Sequence, residues 1–150
     1  MNKISVSMML GLAVLLAACG PSNKSYVKKG EIQRTLDQQA DRGKFYETTG
    51  IGAADSTLTN TTQRMATSRD AAIVQAQYEM LSIIKGVQVE GGHTVEKAME
   101  TDSKIETYLK ELIRSAEVTK TEWTKDDGCV VTLRLDKKKL DSVPGLKVQS

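Results

Sequence analysis

Two alternating runs joined by a glycine-closed turn constrain this chain's fold more than any other feature. Over Val118 to Thr124, Thr119, Thr121 and Trp123 fall on one side, with Val118, Lys120 and Glu122 on the other. Over Cys129 to Leu135, Cys129, Val131, Leu133 and Leu135 share a side, because successive strand side chains point to opposite faces. Between the runs stands Lys125-Asp126-Asp127-Gly128, whose Asp-Gly step suits a tight hairpin because glycine accepts positive φ. An antiparallel hairpin with one apolar face must bury that face against another layer.

Two helical patterns can supply that layer. Met65, Ala72, Ala76, Met80, Ile83, Ile84 and Val87 recur at three- and four-residue intervals, behind a Thr/Asn cluster over Thr57 to Thr62 that offers several N-caps. Ala72 and Ala76 are small enough to let this helix approach a sheet closely. Gly86, Gly91 and Gly92 end the pattern and bracket Val87-Gln88-Val89-Glu90, either a short extended link or the start of an interhelical loop. A second stripe, Val95, Ala98, Met99, Ile105, Leu109, Leu112, Ile113 and Ala116, predicts one helix from Val95 to Ala116. Asp102 interrupts its apolar face, and Ser103 with Glu106 has capping-box spacing.

Ahead of the helices, Phe45, Tyr46, Thr48, Thr49 and Ile51 predict a strand over Lys44 to Ala54. Gly50 and Gly52 permit a bulge or a close backbone approach; with no basic residue in the frame they are structural and do not form a phosphate loop. The expected order is strand, helix, helix, strand, strand, an α+β fold with two helices on a small antiparallel sheet. Its expected open edges are Lys44 to Gly52 and Cys129 to Leu135. Residues 20–43 are polar and read as a tether spanning roughly 25 to 30 Å, with Ile32, Leu36 and Ala40 as a narrow helical stripe inside it. At the other end, Lys137, Lys138 and Lys139 lead into a polar tail over residues 141–150, where Pro144 and Gly145 oppose a long ordered element.

The first eighteen residues carry the strongest functional signal. Lys3 precedes an apolar run from Ile4 to Leu16, and Leu16-Ala17-Ala18-Cys19 then forms a lipobox. The run is too short to span a bilayer, which takes roughly 20 apolar residues. Residues 1–18 therefore read as a cleaved signal and Cys19 as the lipidation site, its acyl chains providing attachment to membrane lipid. Gly20 follows the cysteine, so the Asp that signals inner-membrane retention is absent, and the expected location is the outer membrane, facing the periplasm.

The remaining chemistry points away from catalysis. Lys and Arg total 21 against 19 Asp and Glu, for a net charge of +2, and the two signs are interspersed, so nucleic acid is not expected as a partner. His93 is the only histidine and sits among Gly91, Gly92 and Thr94, read as an exposed loop residue. Once Cys19 is acylated, Cys129 is the only thiol, read as a buried strand residue. One His and one Cys make a zinc site unfavourable, and Asp126 and Asp127 belong to a turn. No enzyme, cofactor or metal is expected.

The lipobox, the polar tether, Gly50-Ile51-Gly52-Ala53-Ala54, Ala71-Ala72-Ile73-Val74-Gln75-Ala76 and the final hairpin with Trp123 and Val130-Val131-Thr132-Leu133 together resemble the LPP-twenty lipoprotein family. The likeness covers about Lys44 to Leu140 plus the signal. It implies a compact α+β domain and no catalytic residues. The family includes lipoproteins of flagellar outer-membrane rings as well as antigens, so two functions are expected to compete. One is a structural lipoprotein that homo-oligomerises in the envelope, with flagellar or other envelope proteins as partners. The other is a periplasmic or surface-exposed binding module that captures a partner.

Overall fold

The computed structural model describes residues 40–148. The proposed signal, Cys19 and the Ile32 and Leu36 positions of the tether stripe lie outside the described residues. Strands β1 (Ala40–Arg42) and β2 (Phe45–Gly52) lead into helix α1 (Thr61–Lys85), then a small pair of strands, β3 (Gln88–Val89) and β4 (His93–Thr94). Helices α2 (Val95–Thr101) and α3 (Ser103–Arg114) precede β5 (Glu117–Trp123) and β6 (Cys129–Asp136), and a 3-10 helix over Lys137–Ser142 follows. The main sheet is antiparallel in the order β1-β2-β6-β5. The architecture is the expected α+β fold, a small antiparallel sheet under a helical layer.

Strand order corrects the edge assignment. Cys129 to Leu135 lies between β2 and β5 in the middle of the sheet, and β2 pairs with β6 from Phe45↔Asp136 to Gly52↔Cys129. The other side of β2 is paired by β1 over residues 45–47, with Ala40↔Glu47 and Arg42↔Phe45, and among the described residues 48–52 keep the expected edge position on that side. Residues read as the end of the tether, including Ala40 of the helical stripe, are thus part of the sheet. The edge on the hairpin side is β5, which carries a bulge between Val118 and Lys120. That extra residue changes the alternation: Val118 pairs with Leu133 on the same side as Thr121 and Trp123, while Lys120 and Glu122 stay opposite. A bulged, charged strand is a poor template for further pairing.

Helix α1 makes the principal contact with β2 and β6. Asn60 caps it, its side chain accepting from Thr62 N at 2.8 Å and Gln63 N at 3.3 Å. Its inner face is Ser68, Ala72, Ala76, Met80 and Ile84, all fully buried. Helix α3 buries Ile105, Leu109 and Ile113 and packs on α1 and the 3-10 helix. Burying such side chains contributes roughly 1.5 to 3 kcal/mol each before chain entropy is opposed to it.

The single helix expected from Val95 to Ala116 is two. Asp102 adopts φ −136 and ψ 108, closes α2 and caps α3, its carboxylate accepting from Lys104 N at 2.9 Å. An aspartate in mid-helix competes for backbone amides and favours this cap, so Asp102 takes the role assigned to Ser103.

Residues 141–148 also depart from a polar tail. Val143 and Leu146 are buried with Leu140 in the core, and Val148 bridges to Val89. Glu90 N donates to Lys147 O at 2.8 Å, so the Val87 to Glu90 link is a strand pinned from both sides. Lys137 lies over the Tyr46 ring at 5.3 Å.

Candidate functional site

The tightest construction in the molecule is the seam between β2 and α1. Every second residue of β2 faces the helix, so Tyr46, Thr48, Gly50 and Gly52 share that side. A Cβ on Gly50 would lie 2.0 Å from Ala72 O and 2.5 Å from Ala76 N; one on Gly52 would lie 1.8 Å from Ser68 O. Both glycines are therefore required by backbone-to-backbone approach, as the sequence allowed. Thr48 Oγ1 donates to Ala76 O at 2.9 Å and fastens the same seam. On this face Gly50 and Gly52 are filled against helix backbone.

The hairpin turn is locked onto the start of α1. Arg64 Nε and Nη2 donate to Asp127 Oδ2 at 2.9 and 2.7 Å, and Nη1 donates to Leu58 O at 2.9 Å. Ser68 Oγ donates to Asp127 O at 2.7 Å, which satisfies a buried hydroxyl on the helix's inner face. The guanidinium is committed within the fold, and the cluster acts as a clasp. The turn also differs from expectation. Asp127, not Gly128, has the left-handed φ of 63, closing a three-residue loop after Thr124 N donates to Gly128 O. A Cβ on Gly128 would crowd Thr124 Oγ1 at 2.6 Å and lie 3.3 Å from Gly52 O.

The residues singled out for chemistry are kept apart. His93 is exposed in β4, in a strand where a loop was expected. Cys129 is fully buried on β6, and burial pushes its thiol upward against a smaller opposing effect of Arg69. Asp126 and Asp127 stand in the hairpin turn, as read. Among the described residues no group of three or more His, Cys, Asp or Glu is placed to hold a metal ion. Glu122, buried on the sheet face away from α1, pairs with Lys120 Nζ at 2.9 Å.

One feature escaped the reading of residues. On the outer side of α1, Val74 and Tyr78 are 64% and 72% exposed, the two most exposed large apolar side chains of the described residues. The signal was present, since Ala71, Val74, Tyr78 and Leu81 run at three-, four- and three-residue steps on the side away from Ala72 and Ala76.

The fold defines the class as α+β, and among the described residues no helix is long and apolar enough to cross a membrane. Set against known proteins, the chain matches no family model, and no curated protein is significantly similar to it.

Proposed function

We propose that this chain is a non-enzymatic lipoprotein with a structural role in the cell envelope, anchored in the outer membrane through acylated Cys19. The observation that carries this reading is the sequence Leu16-Ala17-Ala18-Cys19 behind a short apolar run. Two or more acyl chains hold a protein stably where one does so marginally, at ~0.8 kcal/mol per buried methylene. Among the described residues the sheet starts at Ala40, about 20 residues after the proposed anchor. The finer assignment, to the LPP-twenty lipoproteins and through them to flagellar or other envelope rings, rests on the motif resemblance. Confinement to one plane raises local concentration, which makes weak lateral contacts effective and favours homo-oligomers.

A binding-module reading draws on Val74 and Tyr78, exposed apolar side chains of the sort that meet partners. Chemical crosslinking at native expression, followed by identification of the products, separates the two. Self-crosslinked species in envelope fractions support the assembly role. Crosslinks to one different protein, with the chain itself monomeric, overturn it in favour of capture.

A further inference from the structure

The outer face of α1 offers a specific surface for self-association. Thr67, Ala71, Val74, Tyr78, Leu81 and Lys85 trace one ridge along the helix at alternating four- and three-residue steps, the spacing of a helix-pairing seam. Val74 and Tyr78 at its centre are open to solvent, and Leu81 is half-buried. Beside Tyr78 lies a shallow hollow lined by Ala71, Val74, Gln75, Tyr78 and Glu79. Its small members leave room for a ring from outside.

Charge selects the occupant. Flanking this ridge, Asp70 stands exposed toward the N-terminal end, while Lys85 stands on it in the last turn and Glu79 lies at the rim of the hollow. A face negative at one end and positive at the other is complementary to itself only when the two copies run antiparallel. That arrangement also aligns the helix dipoles favourably. In the monomer Lys85 meets Glu96 at 3.7 Å with both side chains exposed, a contact worth little and easily exchanged.

We infer that two copies of this chain pair through antiparallel α1 helices, across a two-fold axis between Val74 and Tyr78. Tyr78 of each copy then packs against Val74 of the other and enters the hollow beside it. Leu81 meets Ala71, and Lys85 reaches Asp70. The contact is isologous, as two-fold interfaces are. An exposed apolar patch on a monomer runs to about 300 to 600 Å², below the ~800 Å² per partner of a stable interface. The pair is therefore weak in dilute solution and becomes populated when copies share a membrane. That gain in strength, unlike the geometry, rests on the lipoprotein reading above.

Disulfide trapping in membranes holding the full chain tests the geometry, with the unsubstituted chain as the background control. Val74→Cys co-expressed with Tyr78→Cys should give a mixed dimer, and so should Thr67→Cys with Lys85→Cys. Thr67→Cys alone should give none, because its two copies would lie about 27 Å apart along the axis at 1.5 Å per residue. Trapping of Thr67→Cys with itself would show parallel pairing and overturn the inference, as would the absence of mixed dimers. Detergent sedimentation of the full chain supplies a second readout. Tyr78→Asp should weaken self-association about tenfold while leaving the melting curve unchanged, since the side chain is exposed. Asp70→Lys and Lys85→Asp should each weaken it, and together restore it. Trapped α1 pairs on a chain lacking acyl groups would leave this interface standing and sink the membrane reading. Acylated oligomers that trap only at other positions would do the reverse.

Discussion

Replacing Gly50 by alanine is the sharpest perturbation of this fold. The added Cβ would sit 2.0 Å from Ala72 O and 2.5 Å from Ala76 N, both backbone atoms of α1 that cannot rotate away. Restoring ordinary contact requires the helix to retreat by more than about 1 Å, and a gap of that size forfeits up to about half of the dispersion well for each contact across it. Ala72, Ala76 and Met80 would all lift from the sheet, and the Thr48 Oγ1 bond to Ala76 O would stretch with them. Overpacking ordinarily costs ~1 to 3 kcal/mol. Obstruction by rigid backbone places Gly50→Ala at about 3 kcal/mol or more, against a total of ~5 to 15 kcal/mol for a domain. Gly52→Ala should cost as much, and the double substitution less than the sum, because a helix already displaced accommodates the second methyl. Two controls separate space from backbone conformation. Gly86→Ala meets only Ile83 O at 3.5 Å and should be neutral to slightly stabilising. Gly43→Ala has nothing within 4 Å but a φ of 59 and should cost about 1 kcal/mol. Urea denaturation followed by the fluorescence of Trp123, the only tryptophan, reads all four. A Gly50→Ala midpoint equal to that of the parent would refute the close-packed seam.

Breaking the clasp by Asp127→Ala should cost about 1 to 2 kcal/mol, and Asp127→Asn less, since asparagine tolerates the left-handed conformation; a double-mutant cycle with Arg64→Ala should reveal coupling between the half-buried partners, and additivity would show the clasp to be idle. Asp102→Ala should lower stability by ~1 kcal/mol through loss of the α3 cap, checked by the same urea midpoint. Cys129 should resist iodoacetamide in the native state and react on unfolding. Because its folded pKa is raised, the neutral thiol's contribution to stability is complete below the unfolded pKa of ~8.5 and is lost as pH rises through the higher folded value. Cys129→Ser should flatten the alkaline decline of stability, and an identical pH profile would contradict this.

Much of the architecture was legible because it depends on periodicity. Alternation placed β2, β5 and β6, and the Ala72–Ala76 spacing located the face of α1 that touches the sheet. What the residues could not show were choices between neighbours of similar propensity. Strand order is one: Cys129 to Leu135 is apolar on the core side whether it lies at an edge or in the centre, and Val130 and Thr132, buried on the opposite side, mark the central position only once pairing is seen. The break at Asp102 is another, since a polar residue on an apolar stripe fits a kink or a tolerated exception. Ser68 was missed as a core position because its burial depends on Asp127 O, 59 residues away. Leu140, Val143 and Leu146 were obscured by the neighbouring lysines and Pro144, which suit a solvated tail as well as a chain that folds back. The proposed anchor rests on local chemistry alone, a short apolar run ending in a lipobox.

The central claim is tested most directly by the mass of the N-terminal peptide of the chain purified from its native membranes. The expected peptide begins at Cys19, with residues 1–18 removed and acyl chains adding their mass to the cysteine. A chain that retains residues 1–18, or begins at an unmodified Cys19 or elsewhere, would contradict it.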